Sequence, residues 1–465
     1  MRLIPNLGRQ GKLAAIFIAL NLLLLLWAAP EATYIHGGDA ALYIGPAKTL
    51  WQHGILASGP EALDVPLSFA PPLYAILLAP FVGLLPWPMA LAAIVMLQLI
   101  MLWFTASAVR GLLPKSLENA RDGAQLLVLF NPNAIFTAHL IQPESLFTLL
   151  ATLALVGIWR QALMPGWVRA IGVGLMLGLA TLTRPVALYA IPLLPFLLPL
   201  LALIAAPMRS GARRRPPQGI VASGIVLTVT ALLCVAPWFA RNAVEFGKPF
   251  FTSNGGFYLS DQYVELLQIS RGLSASEASA ERYRQINAAA EQAGLTDFDA
   301  RPGPERSAFT AQVIGPLILQ QAPATLAKAL ARSWAALFVG GGASNGKNYL
   351  DLPGETPTQF LQSYRWQGLA VFVQDFLGQG QIVYPLLVLL TAAFALLMRL
   401  AGLLGLWRLW REGETGLLLL LLAELIYFTL SYLFLGQSRF RVPMEPALLT
   451  LAALGLSWAA PKRRR

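Results

Sequence analysis

The sequence predicts an all-α polytopic membrane protein, with about ten transmembrane helices, surface-lying helices in a first outer loop and a larger extracytoplasmic segment. Three observations carry this. The 465 residues are 56% hydrophobic and only 12% charged, about half the ~25% of an average soluble domain. Apolar runs near the ~20 residues that cross a bilayer recur from residue 13 to residue 460. The basic residues fall in short clusters between those runs, as the positive-inside rule expects. The net charge of +11 therefore reads as membrane topology and not as a nucleic-acid surface, since no soluble basic module is present. The one cysteine, Cys234, lies within an apolar run, which excludes an intrachain disulfide.

The candidate spans are 13–29, 88–109, 123–140, 145–160, 168–183, 186–206, 219–239, 383–407, 416–435 and 443–460. The first follows Arg2, Arg9 and Lys12, and Ala28-Ala29-Pro30-Glu31-Ala32 offers the small residues of a signal-peptide cleavage site. Its near-spanning length and the many runs after it make an uncleaved first helix the expectation. With the N-terminus inside, Arg110/Lys115/Arg121, Arg160/Arg169, Arg209/Arg213/Arg214/Arg215, Arg408/Arg411 and residues 462–465 all fall on the cytoplasmic side. Both termini are then cytoplasmic. The run 72–85 would reverse everything downstream if it spanned. It is short and broken by Pro71, Pro72, Pro80 and Pro86, and so is expected to stay at the outer surface within a loop over 30–87. Residues 1–239 would form an N-terminal transmembrane catalytic module, 240–382 an extracytoplasmic segment, and 383–465 the last transmembrane helices. Within the segment, 313–338 is apolar but interrupted by Pro316 and Pro323, and is expected to lie on the surface.

This topology sorts the acids. Glu118, Asp122, Glu412 and Glu414 face the cytoplasm, Glu424 sits within a span, and all others are extracytoplasmic. Asp39 follows the first span in His36-Gly-Gly-Asp39, ahead of an amphipathic stretch over 40–52. A carboxylate so near the bilayer suits a general base acting on a lipid-borne substrate; capping the following helix is the plainer role. Glu144 opens the fourth span after Gln142-Pro143. Its place is equally that of an acid favoured at a helix start. Arg184, Arg241, Arg439 and Arg441 reach the same outer face, where positive charge is disfavoured. Guanidinium suits bidentate phosphate binding, and snorkelling to lipid phosphates is the alternative. His36, Tyr43, Asp64, His139, Asn242 and Tyr258 are further candidates for substrate contact. His36, His53 and His139, the only histidines, could join the acids around a divalent ion, but no tight ligand spacing supports a metal. Within the membrane, Arg399 and Glu424 stand at equal depth from the cytoplasmic end of their helices and are expected to pair.

The constellation resembles the GT-C class of membrane glycosyltransferases. Within it, the likeness is to the branch of protein O-mannosyltransferases and the bacterial enzymes that add aminoarabinose or galacturonic acid to lipid A. The residues that carry it are Asp39 in the first outer loop, Glu144 at the outer end of the third span, Pro237-Trp238 with Arg241-Asn242, and Arg439-Phe440-Arg441-Val442-Pro443. The likeness covers roughly 10–460. It implies a polyprenyl-phosphate sugar donor and a lipid, glycan or protein acceptor, both met at the outer face of the plasma (inner) membrane. The first-loop acid would deprotonate the acceptor, which displaces the lipid phosphate with inversion while the arginines hold that phosphate. No further cofactor is implied. Many relatives carry paired acids where this chain has Asp39-Ala40; Glu61 or Asp64 could supply the second. A lipid-linked sugar transporter or flippase would place its polar groups near the midplane on repeated, broken helices. A polysaccharide ligase or polymerase would work through arginines and a histidine without a carboxylate base.

Overall fold

A computed structural model describes residues 8–28, 38–205, 218–295, 297–353, 369–378 and 382–459. His36, the cluster Arg213–Arg215 and residues 462–465 lie outside them. Among the described residues the strands form one two-stranded hairpin, β1 (Ala57–Gly59) with β2 (Ala62–Pro66), and every other regular element is a helix. The protein is an integral membrane protein. Among the described residues six helices are long and apolar enough to cross a bilayer, by length and composition: Arg9–Trp27, Trp87–Leu112, Glu144–Leu163, Pro185–Ala205, Ile220–Phe246 and Val383–Arg411. The other four expected spans fall on shorter or broken helices.

In chain order the helices are α1 (Arg9–Ala28), α2 (Ala41–His53), α3 (Leu73–Leu84), α4 (Trp87–Ala108), α5 (Glu118–Leu129), α6 (Pro132–Ala138), α7 (Glu144–Leu163), α8 (Trp167–Thr181), α9 (Leu194–Ala205) and α10 (Ile220–Phe246). Then follow α11 (Gly255–Arg271), α12 (Ala275–Gln292), α13 (Gly303–Leu319), α14 (Pro323–Val339), α15 (Ala343–Leu350), α16 (Leu369–Leu377), α17 (Val383–Arg411), α18 (Thr415–Ser431) and α19 (Glu445–Ala459). The expected span 123–140 is broken into α5 and α6. Asn131 caps α6 by accepting from the Asn133 amide, and Pro132 takes the first helical position, so the chain restarts there. The apolar stretch 313–338 divides between the end of α13 and α14, with Ala322 extended ahead of Pro323.

Charged ends align the bundle. Arg9, at the start of α1, and Arg110, beyond α4, both bind Asp122 of α5. Arg169 donates to the Arg160 carbonyl, and Arg408 to the Leu454 carbonyl of α19. The starts of α7 and α19 and the end of α8 therefore lie at the opposite end. The run 72–85 behaves as a return. The Leu73 amide donates to the Leu182 carbonyl, just past α8, and the Tyr74 hydroxyl donates to Gln98, halfway along α4. Twelve residues rise about 18 Å, too little for a ~30 Å hydrocarbon core. They bring the chain to Pro86 at the start of α4 and never reach the Arg110 end. The helix also packs along α2, where the Trp51 ring lies so close to Gly83 that a β-carbon there would overlap it. Beyond α10, α11 to α13 enclose a small core of Tyr263, Leu267, Ala278, Ile286 and Ile314, separate from that of the bundle.

Candidate functional site

Asp39 sits in a 3-10 turn (Gly38–Ala40) that runs into α2, and no side chain caps that helix. Its half-exposed carboxylate instead accepts from Arg439 Nη1 at 2.8 Å. Glu144, at the first position of α7, is buried (3% exposed) and accepts from Arg184 Nη1, also at 2.8 Å. Arg184 reaches it because the chain extends after α8 before a 3-10 helix begins at Pro185.

One aromatic ring joins the two pairs. The Arg184 guanidinium lies 5.7 Å and that of Arg439 5.0 Å from the centre of Phe440. Phe440 also stacks on Tyr432, with centroids 4.6 Å apart and planes 1° from parallel. Two cations over one ring are held there by its quadrupole, while their acids balance the charge. Tyr43 stands within electrostatic reach of all four charges. Burial raises its hydroxyl above the ordinary tyrosine range, Arg184 opposes that, and Glu144, Asp39 and Arg439 also act on it. Burial likewise raises Tyr258, which feels Tyr432, Arg184 and Arg439. Four buried polar atoms here make no hydrogen bond among the described residues: Glu144 Oε2, Tyr258 Oη, Tyr432 Oη and Arg439 Nε. Such atoms are normally satisfied, so their convergence marks a place shaped for a polar ligand.

The remaining candidates stand apart from this centre. Arg241 donates to the carbonyls of Leu67 (2.6 Å) and Leu56 (3.1 Å) and lies over the Trp238 ring. Asn242 is fully buried and donates to the carbonyls of Phe250 and Phe251. Both fasten the hairpin loop and the exit from α10. Arg441 is 1% exposed; its Nε donates to Glu445 at 2.5 Å and its Nη1 to the Leu337 carbonyl. His139 is fully buried, with Nδ1 2.9 Å from the Ile135 carbonyl and its ring against Tyr349. Asp64 and Glu61 are exposed on the hairpin, and His53 is exposed in the last turn of α2. Among the described residues no three His, Cys, Asp or Glu side chains group as metal ligands.

One expected pair is corrected. Arg399 binds Glu445 at 3.2 Å, not Glu424, whose Oε2 makes no hydrogen bond among the described residues. Equal depth gave the height of Arg399 but not its direction. Arg399 and Gly402 share one face of α17, and that face packs on α19. Sequence reasoning also passed over Glu445 and Tyr432. Glu445 carried a readable signal, an acid four residues after Arg441, whereas Tyr432 follows an apolar run with nothing to single it out.

By sequence, no known family and no curated protein matches the chain. Among solved structures it is similar to the oligosaccharyltransferase AglB of Archaeoglobus fulgidus, in complex with an inhibitory peptide and a dolichol-phosphate. The identity is 15%, over 94% of this chain and 50% of that one, with a TM-score of 0.46. It is also similar to ArnT of Cupriavidus metallidurans. In the apo state the identity is 13%, over 97% of this chain and 78% of that one, with a TM-score of 0.39. For ArnT bound to undecaprenyl phosphate the values are 13%, 96%, 78% and 0.38. The chain thus spans only half the length of the archaeal enzyme.

Proposed function

We propose that the protein is an inverting glycosyltransferase of the GT-C class, moving a sugar from a polyprenyl-phosphate donor to an acceptor at the extracytoplasmic face of the inner membrane. The observation that carries this reading is the pairing of two acids with two arginines around Phe440. Asp39 is the general base. It takes the proton of the acceptor hydroxyl as that oxygen bonds to the anomeric carbon, and the bond from that carbon to the phosphate oxygen breaks with its electron pair. Arg439 and Arg184 neutralise the charge that grows on the departing phosphate. Glu144 holds Arg184 and offers its second oxygen to the sugar. Arg241 and Arg441, whose nitrogens are taken up by protein carbonyls and Glu445, brace the walls.

The Asp39→Asn variant tests the base. Transfer in membranes should fall at least ~100-fold, the scale of general-base catalysis, with protein levels retained and donor binding not weakened. Full activity in that variant would remove Asp39 as base and favour a ligase working through its arginines.

A further inference from the structure

The two acid–arginine pairs differ in how firmly they are held. Glu144 and Arg184 are 4% and 16% exposed at their side chains, Asp39 and Arg439 49% and 23%. Separating the inner pair strands a buried carboxylate, which is heavily penalised. An exposed pair is screened by water and worth little. An anion arriving at Phe440 therefore meets one cation that is locked to its acid and one that is exchangeable.

We propose, building on the glycosyltransferase reading, that Arg439 changes partners during the reaction. In the free protein it neutralises Asp39; the phosphate of an arriving donor takes its guanidinium over and leaves Asp39 unpaired. Phe440 provides the track, since Arg439 lies on its ring at 5.0 Å and rotates over that face without losing the contact. Arg439 Nε is buried without a hydrogen bond and lies ready for the new anion. A phosphate held by Arg439 on this side faces Arg184 on the same ring, which adds charge to the anion's side of the exchange. The base is then freed only when a donor is present, and donor binding precedes acceptor activation. Arg439 is on this account a positioning residue for Asp39 as well as a phosphate ligand.

The exchange is tested by binding, without turnover. The full-length protein in detergent is titrated with farnesyl phosphate and, separately, with inorganic phosphate, for wild type, Asp39→Asn, Arg439→Gln and the double variant. Because the pair to be broken is exposed, Asp39→Asn should bind farnesyl phosphate about two- to fivefold more tightly. Arg439→Gln should bind it about tenfold more weakly, as loss of a charge-assisted bond implies. In the Arg439→Gln background, Asp39→Asn should change affinity less than twofold. Asp39→Ala should behave as Asp39→Asn, which separates loss of charge from any effect of the amide. An unchanged affinity in Asp39→Asn overturns the exchange, as does a gain that persists without Arg439, which would be plain repulsion. A wild type that binds neither farnesyl phosphate nor inorganic phosphate overturns the donor reading itself, and the exchange with it. The same pattern with inorganic phosphate alone upholds the exchange and overturns the lipid donor.

Discussion

Arg439 and Arg441 are two residues apart in one 3-10 turn, and the turn sends their guanidinium groups to different places. Arg439 meets a half-exposed acid, whereas Arg441 is sealed between Glu445 and the Leu337 carbonyl. Losing one partner of a buried pair costs about 3–5 kcal/mol. Arg441→Ala should therefore lower the melting temperature and the yield of folded protein, while Arg439→Ala leaves both near wild type. Equal melting temperatures would remove the distinction. Tyr258 separates the same two quantities in the other direction. Its buried hydroxyl has no partner among the described residues, so Tyr258→Phe should leave stability unchanged or raised while transfer falls. The pH dependence has a definite sign. Burial lifts the Tyr43 and Tyr258 hydroxyls above their unfolded values. Their contribution is complete below the unfolded pKa of about 10 and is lost as pH rises above it. The drop in melting temperature from pH 9 to pH 11 should shrink in Tyr258→Phe. Arg184 and Arg439 were legible in sequence, because positive charge on the side expected to face out needs a reason, and Asp39 and Glu144 because the expected topology brings them to that same side. The direction of Arg441 was not, since it depends on how one turn meets α14 and α19.

Between elements, the most extensive contact is that of α17 against α19. Arg399 meets Glu445 and Arg408 the Leu454 carbonyl, each 46 residues on. Gly405 faces the Leu451 carbonyl in the same register, and a β-carbon there would come within 1.9 Å of that oxygen. Small residues at such crossings let helix backbones approach in a membrane. This register carries Glu445 under Arg441 and so fixes the segment that presents Arg439. Two further contacts hold that segment: Asn133 donates to the Ser438 carbonyl, and the Gly436 amide to Ser333. Gly405→Ala should destabilise by about 1–3 kcal/mol, the cost of overpacking, measured as thermal unfolding in detergent. Gly172→Ala in α8 is the control, because nothing lies within 4 Å of its added carbon. If the two variants melt alike, the close approach is not what holds the helices. The sequence pattern conveyed that both helices exist, from their apolar runs. It did not convey which face of α17 meets which neighbour, because a helix apolar all round has no preferred side. The misassigned partner of Arg399 follows from that.

Across the whole molecule, the site lies deeper than its loop residues suggest. At 1.5 Å per residue, Glu144 stands about 24 Å along α7 from Arg160, and Glu445 about 18 Å along α19 from Ser457. Both lengths fall short of the ~30 Å hydrocarbon core, and tilting shortens them further. The longer α4 and α17 run past this level, with Gln98 and Arg399 partway along them. A lipid-borne phosphate, the donor class proposed above, would meet the site at this level. The orientation of the bundle decides from which leaflet it arrives. Because Arg9, Arg110 and Asp122 share one end with Arg408, and Arg399 and Glu445 lie toward the other, two positions suffice to read it. Asp297→Cys, between α12 and α13, and Glu412→Cys, after α17, are placed singly in a Cys234→Ala background. A membrane-impermeant thiol reagent should label the first in intact cells and the second only after the membrane is opened. Basic clusters held inside by the positive-inside rule require that order. The reverse order would put Asp39 and both pairs on the cytoplasmic face, and donors presented from the outer leaflet would then never meet them.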